Sequence, residues 1–172
     1  MKPVRIGIIG MGNIGRHHAQ YLRAGQVPGA ELVAVCSPSP GKLESYRPLK
    51  IHAAPRDLLA SGEVEAVLIA TPHYQHTTLG IEALERGLHV MVEKPISAHK
   101  ADAERLVATA AARPSQVFGA MFQLRTEPRY LKIRELLAQG ELGTLQRISW
   151  INTDWFRSEA YYSSGGWRAT WQ

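Results

Sequence analysis

The residues of this chain whose types and spacing could do chemistry begin with three glycines, Gly10, Gly12 and Gly15. At that spacing Gly10 permits a tight turn, Gly12 lets a pyrophosphate approach the main chain, and Gly15 lets a helix pack closely on the strand before it. The helix start offers unpaired N–H groups and the positive end of its dipole to the same anion. Met11, Asn13 and Ile14 complete the loop, so Gly10 to Gly15 is the candidate diphosphate cradle of a dinucleotide. A second polar group, Thr71-Pro72-His73-Tyr74-Gln75-His76, follows the apolar run Ala66 to Ala70. In an open α/β sheet the carboxyl end of such a strand is where ligands bind.

These residues need particular elements to hold them. Val4 to Ile9 is an apolar β-type run leading into the glycines, and Arg16 to Arg23 is helix-compatible. After the Pro28-Gly29 turn, Glu31 to Cys36 reads as a second strand whose tip should meet an adenosine ribose. An acidic residue about twenty positions beyond the glycines normally accepts the ribose hydroxyls. Ser37 stands there instead, followed by Pro38, Ser39, Pro40, Gly41 and Lys42. With no carboxylate to repel a 2′-phosphate, and with two hydroxyls and a lysine nearby, NADP is admitted and favoured over NAD. The alternative is that Ser37 and Ser39 belong only to a proline-rich turn.

Gly41 to Tyr46 is a short helical candidate, Lys50 to Ala53 a brief strand, and Pro55 to Ala60 a helix with proline in its first turn. Ala66 to Ala70 has the unbroken apolar character of a strand buried on both faces. His76 to Arg86 reads as a helix ended by Gly87, His89 to Val92 as a strand, Ser97 to Arg113 as a helix and Gln116 to Phe122 as a strand. The alternation predicts an α/β fold, a doubly wound parallel sheet over residues 1–123. From 124 to 172 the texture changes to the incomplete start of a second, α+β domain. Arg129 to Gln139 is an amphipathic helix, and Leu145 to Thr153 is expected to be the first strand of an open sheet. The aromatics Trp155, Phe156, Tyr161, Tyr162, Trp167 and Trp171 are expected in its core rather than as a sugar-stacking platform.

Bulk properties set the outer limits. The chain has 172 residues, 45% of them hydrophobic and 20% charged, as in an ordinary soluble globule. No apolar run is long enough to span a membrane. A lone cysteine, Cys36, forms no internal disulfide, which makes a reducing cytoplasm the default. The formal charge of +5 is spread along the chain and makes no nucleic-acid patch.

With the glycine fingerprint, Thr71-Pro72-x-x-x-His76 and Glu93-Lys94-Pro95 in that order, the chain resembles the glucose-fructose oxidoreductase and inositol dehydrogenase (Gfo/Idh/MocA) family. Arg125 with Pro128 and Tyr130, the Gly140-x-x-Gly143 turn, and Tyr161-Tyr162 before Gly166-Trp167-Arg168 are similar as well. The resemblance implies a Rossmann domain followed by an α/β domain whose open sheet commonly mediates homo-oligomerisation. It also implies hydride transfer between NAD or NADP and a hydroxyl of a sugar, polyol or related small molecule.

By the same resemblance Lys94 is the candidate catalytic residue, facing the nicotinamide and hydrogen-bonding the reacting oxygen. A lysine partly removed from water has its pKa lowered toward neutrality and suits that task. Glu93 is expected near the nicotinamide ribose, with Pro95 shaping the turn through a cis bond. Thr71 and Pro72 should line the nicotinamide side of the cleft, and His73 stands where many relatives have asparagine. His76 is expected to cap the following helix or contact the cofactor rather than transfer protons. Gln123 and Arg125 reach either the cleft or an interdomain salt link, and Arg168 meets pyrophosphate or ribose. His17 and His18, on the fingerprint helix, are expected to pack or face solvent. Neither His73 nor His76 has a second ligand at metal spacing, so no metal site is expected.

Full family members continue well beyond this length, through a glycine-rich segment and an Asp and His pair that completes proton transfer. The chain therefore reads as a fragment that binds cofactor better than it turns it over. The competing reading is a non-catalytic dinucleotide-binding sensor or regulator on the same scaffold. An S-adenosylmethionine-binding Rossmann domain is a third, and Glu93-Lys94-Pro95 counts against it.

Overall fold

The computed structural model describes residues 2–153 and 156–163, which divide into two units, Met1–Phe122 and Gln123–Gln172. In the first unit six strands form one sheet: β1 Val4–Ile9, β2 Ala30–Cys36, β3 Lys50–His52, β4 Ala66–Ile69, β5 His89–Val92 and β6 Phe118–Ala120. Every pairing is parallel, and the order is β3-β2-β1-β4-β5-β6. Parallel neighbours need crossovers. These are α1 Asn13–Arg23, a 3-10 turn Pro40–Tyr46, α2 Pro55–Ala60, α3 His76–Glu85 and α4 Lys100–Ala111.

Strand parity explains the two cores. Ile9, Cys36, Ile69 and Val92 point to the side that holds Leu58, Leu79, Ala83, Leu84 and Leu106 from α2, α3 and α4. Ile8, Val35 and Leu68 point to the other, against Ala19 and Leu22 of α1 and Leu43 of the 3-10 turn. A sheet apolar on both faces is what the run Ile6 to Ile9 and the unbroken run Ala66 to Ile69 require. Gly80 of α3 seats Leu106 of α4, whose Cδ1 would lie 2.9 Å from any Cβ added there.

Three differences between the sequence pattern and the elements bear on the fold. The helix expected from Ser97 starts only at Lys100, because Thr77 of α3 donates its hydroxyl proton to Ser97 Oγ (2.8 Å) and holds that stretch off the helical path. The strand expected over 116–122 shortens to Phe118–Ala120, the three residues that find partners in β5. The largest difference is in the second unit, where 145–153 forms no strand. A strand needs a neighbour for its N–H and C=O groups, and none is offered among the described residues. Ile148 and Ile151 are 74% and 88% exposed.

The second unit, among its described residues, therefore has no sheet. It consists of a 3-10 turn Gln123–Thr126, α5 Pro128–Ala138 and a short α6 Glu159–Ser163. Tyr130 and Trp150 stack at 5.5 Å, but no described residue of this unit is buried.

Candidate functional site

The register brings the strand ends into one line. Ile9 pairs with Cys36 on one side and Ile69 on the other, Ile69 pairs with Val92, and Val92 with Ala120. Gly10, Ser37, Ala70-Thr71 and Glu93-Lys94 thus leave the sheet at the same carboxyl edge. The chain also reverses its direction of winding beside β1, the switch point at which such sheets bind ligands. Among the described residues no helix is long and apolar enough to cross a membrane, and no three His, Cys, Asp or Glu side chains group as metal ligands.

The glycine turn is built by exclusion of side chains. Gly10 has φ +98°, and a Cβ there would lie 2.7 Å from the carbonyl carbon and oxygen of Ala70. A Cβ on Gly15 would sit 1.9 Å from the oxygen of Gly10, so α1 can lie against the turn only without one. Gly12 is the opposite case: a Cβ there would meet nothing within 4 Å. Gly12 is also the N-cap of α1, and no side chain caps the helix. The first-turn N–H groups of α1 therefore open onto free space, the arrangement an anion requires. Asn13 and Ile14 are exposed beside this opening, while Met11 turns its side chain into the core and leaves only its backbone to the loop.

At the tip of β2 the Ser37 N–H donates to His52 O (3.1 Å), and its Oγ accepts the Ser39 N–H (3.3 Å). The turn reading of Ser37 thus has a bond behind it, yet the hydroxyl proton remains to be donated. Ser39 is exposed, and Lys42 lies within the 3-10 turn that follows. Cys36, just before, is buried, and that burial together with the Asp57 charge pushes its thiol up to about 11.

At the end of β4 the Thr71 Oγ1 is a buried hydroxyl with no hydrogen-bond partner. A group in that state favours a ligand that completes it. Pro72 is exposed and His73 half-buried in a 3-10 turn, His73–Gln75. Partial burial, then the positive charges of His76 and Lys94, lower the His73 pKa against the opposing pull of Glu93.

His76 corrects the expectation placed on it. The ring is 0% exposed, with Nδ1 2.8 Å from Pro95 O and Nε2 2.9 Å from Thr71 O. It neither caps α3, which has no side-chain cap, nor presents a nitrogen to the crevice. It ties the end of β4 to the turn after β5.

The Glu93-Lys94-Pro95 turn has the cis Lys94–Pro95 bond expected of it. Parity turns Val92 into the α3 and α4 side, so Glu93 faces α1. There His18 Nε2 lies 2.7 Å from Glu93 Oε1, and the Lys94 N–H donates to Glu93 Oε2 (3.1 Å). Glu93 is 7% exposed, turned inward to α1 rather than laid open to a ribose. Burial pushes its carboxyl up, but the His18 hydrogen bond, the Lys94 amide and the two positive charges outweigh it and hold it below the ordinary range. Lys94 itself is exposed at this edge.

The His18 contact was missed in the sequence, where solvent or simple packing was expected. The signal lay in its position: Gly15, Ala19 and Leu22 are the buried stripe of α1, and residue 18 belongs to the same face. His17, by contrast, only meets Tyr21 OH (2.8 Å) on the exposed side. Gln123 opens the second unit, and Arg168 lies outside the described residues.

A parallel sheet wound in this order, with a side-chain-free turn and an uncapped helix start at its switch point, defines a dinucleotide-binding Rossmann domain. Residues 4–120 match the model of an oxidoreductase family with an NAD-binding Rossmann fold, and the chain belongs to that family. It is 34% identical over 145 residues to inositol 2-dehydrogenase 1 of Saccharopolyspora erythraea, covering 81% of this chain and 43% of that protein. Among solved structures it is similar to scyllo-inositol dehydrogenase of Lactobacillus casei with bound NAD(H) and scyllo-inositol. That match has a TM-score of 0.77 at 28% identity and covers 83% of this chain and 43% of the other. The WlbA dehydrogenase of Bordetella pertussis, in complex with NADH and UDP-GlcNAcA, has a TM-score of 0.82 at 26% identity, with 97% and 52% covered. The chain thus spans about half the length of the relatives it matches or less.

Proposed function

We propose that the protein is an NAD(P)-dependent oxidoreductase moving hydride between a nicotinamide and a hydroxyl or carbonyl of a sugar, polyol or related small molecule. The observation that carries this is the shared carboxyl edge, where the open, uncapped start of α1 at Gly12 and the Glu93-Lys94 turn leave the sheet together. Polyol dehydrogenases among its relatives support the substrate class.

The dinucleotide, when bound, supplies the hydride acceptor or donor. This chain's residues do the rest. The N–H groups of Asn13, Ile14 and Gly15 receive the diphosphate, and Gly10, Met11 and Gly12 let it approach. Thr71 and Pro72 line the nicotinamide side, with the orphan Thr71 hydroxyl as the polar contact. Lys94 Nζ hydrogen-bonds the reacting oxygen, stabilises negative charge growing on it and passes the proton. Ser37, Ser39 and Lys42 receive the adenosine ribose, and without a carboxylate there the pocket favours a 2′-phosphate, hence NADP over NAD. His73 borders the crevice. The unit Gln123–Gln172 begins a substrate and oligomerisation domain, to which Arg168 adds a cofactor contact, in a cytoplasmic homo-oligomer with no nucleic-acid partner.

The sensor reading has the same cradle but no use for an amine at the redox end. Fluorescence titration with NADH and NADPH tests cofactor binding and preference. NADH binding at least about tenfold tighter overturns the choice of NADP, and binding of neither overturns the function. Turnover on a polyol panel that survives Lys94→Ala removes Lys94 from proton transfer.

A further inference from the structure

We propose that His18 is a positioning residue: through Glu93 it fixes the Lys94 backbone to the diphosphate-binding helix, so that one element places both the cofactor bridge and the lysine. The proposal rests on the dinucleotide function above and assigns a role to a residue that the glycine fingerprint leaves out.

Three observations carry it. First, Glu93 is 7% exposed, and a carboxylate in that setting needs hydrogen-bonded partners. Second, it has them on two separate elements: Oε1 lies 2.7 Å from His18 Nε2 of α1, and Oε2 accepts the Lys94 N–H at 3.1 Å. His18 and Glu93 are 75 residues apart, so the fold, and not local sequence, brings them together: α1 lies on the face of the sheet toward which Glu93 points. Third, the side chains are 13% and 8% exposed, so water does not compete effectively for this bridge. A charge-assisted bond of that length is both strong and directional.

The link has a direction in the crevice. In sheets wound this way the adenosine half lies toward β2 and the nicotinamide half toward β4 and β5. His18 reaches from the helix under the diphosphate to the nicotinamide side. Losing it frees the Glu93 carboxylate, and with it the peptide plane from which the Lys94 side chain departs. The Gly10 to Gly15 cradle, held by packing against Ala70, does not depend on it.

That asymmetry gives the test. Wild type, His18→Ala and His18→Gln of the whole chain are titrated with NADH and with ADP-ribose, which lacks the nicotinamide. The Lys94 amide is followed by 1H–15N NMR without ligand. His18→Ala is expected to weaken NADH about tenfold, the worth of one charge-assisted hydrogen bond, and ADP-ribose by less than about twofold. The Lys94 amide should shift in His18→Ala and return in His18→Gln, whose amide N–H can still donate to Glu93. Should His18→Ala not fold, Glu93→Gln, which keeps the shape, should give the same split between ligands. Equal loss of both ligands means that the pair merely anchors α1 and overturns the proposal, as does unchanged NADH affinity. Wild type binding neither ligand overturns the dinucleotide function and the proposal together.

Discussion

Two turns leave the same edge of the sheet and are built by opposite means. The first, Gly10 to Gly15, works by keeping side chains out: a Cβ on Gly10 or Gly15 strikes backbone, and one on Gly12 meets open space. The second, Glu93 to Pro95, works by bringing side chains in, with His18 and the Lys94 amide sharing one buried carboxylate. The first is local and steric, the second distant and electrostatic. A site formed by exclusion tolerates almost no change at its tight points, whereas one formed by pairing fails by degrees and with pH.

The largest test of this contrast is one substitution made at two glycines. Gly15→Ala puts a methyl group 1.9 Å from the Gly10 oxygen, and either the turn or α1 must move. We expect a loss of about 3 kcal/mol or more, read as a fall in melting temperature by circular dichroism. Gly12→Ala, three residues away, adds the same methyl group where nothing lies within 4 Å, at a φ of −72° that alanine accepts. Its stability should fall by about 1 kcal/mol at most, the difference between Gly and Ala at an N-cap. NADH affinity should nevertheless fall at least about tenfold, because the methyl group occupies the diphosphate's approach. If Gly12→Ala binds NADH as wild type does, the anion does not sit there.

The same contrast explains what the sequence made legible. Exclusion leaves a mark on the chain itself, since glycines at 10, 12 and 15 stand within one short window after an apolar run. Strands β1, β2, β4 and β5 were equally plain, because burial on both faces writes a mainly apolar segment, interrupted here by Arg5, Glu31 and His89 near the strand starts. Pairing leaves no such mark: nothing near His18 announces a carboxylate 75 positions on. Orientation is also silent: the sequence offers His76 as a helix cap or a cofactor contact, whereas its ring is 0% exposed and bridges two carbonyls. Partial alternation over 145–153 suggested a strand, but β structure depends on a neighbour as well as a pattern. The helices α1 and α5 make the point together. Each has 11 residues, yet α1 buries Gly15, Ala19 and Leu22 on the sheet, while α5 buries none.

The pairing turn should answer to pH. Glu93 has its folded pKa below the ordinary carboxyl value of 4.5, so its contribution to stability is complete above that value. As pH falls below 4.5 the unfolded chain takes up a proton that the folded chain refuses, and stability declines until the lowered folded value is passed. Glu93→Gln removes this proton uptake. Melting temperatures measured downward from pH 4.5 should therefore fall less steeply in Glu93→Gln than in wild type. Parallel slopes would mean that the carboxylate contributes nothing to acid sensitivity.

Between the two turns stands Thr71, where the smallest effect is expected and the sign is most informative. Its Oγ1 is buried and unbonded, so without ligand it weakens the fold. Thr71→Val keeps the shape, removes the orphan oxygen and should raise stability by about 1 kcal/mol. If the hydroxyl serves the cofactor, the same variant binds NADH several-fold more weakly while melting higher, a trade that a packing residue would not make. Higher melting with unchanged NADH affinity would leave the nicotinamide side of the crevice to the pairing turn alone.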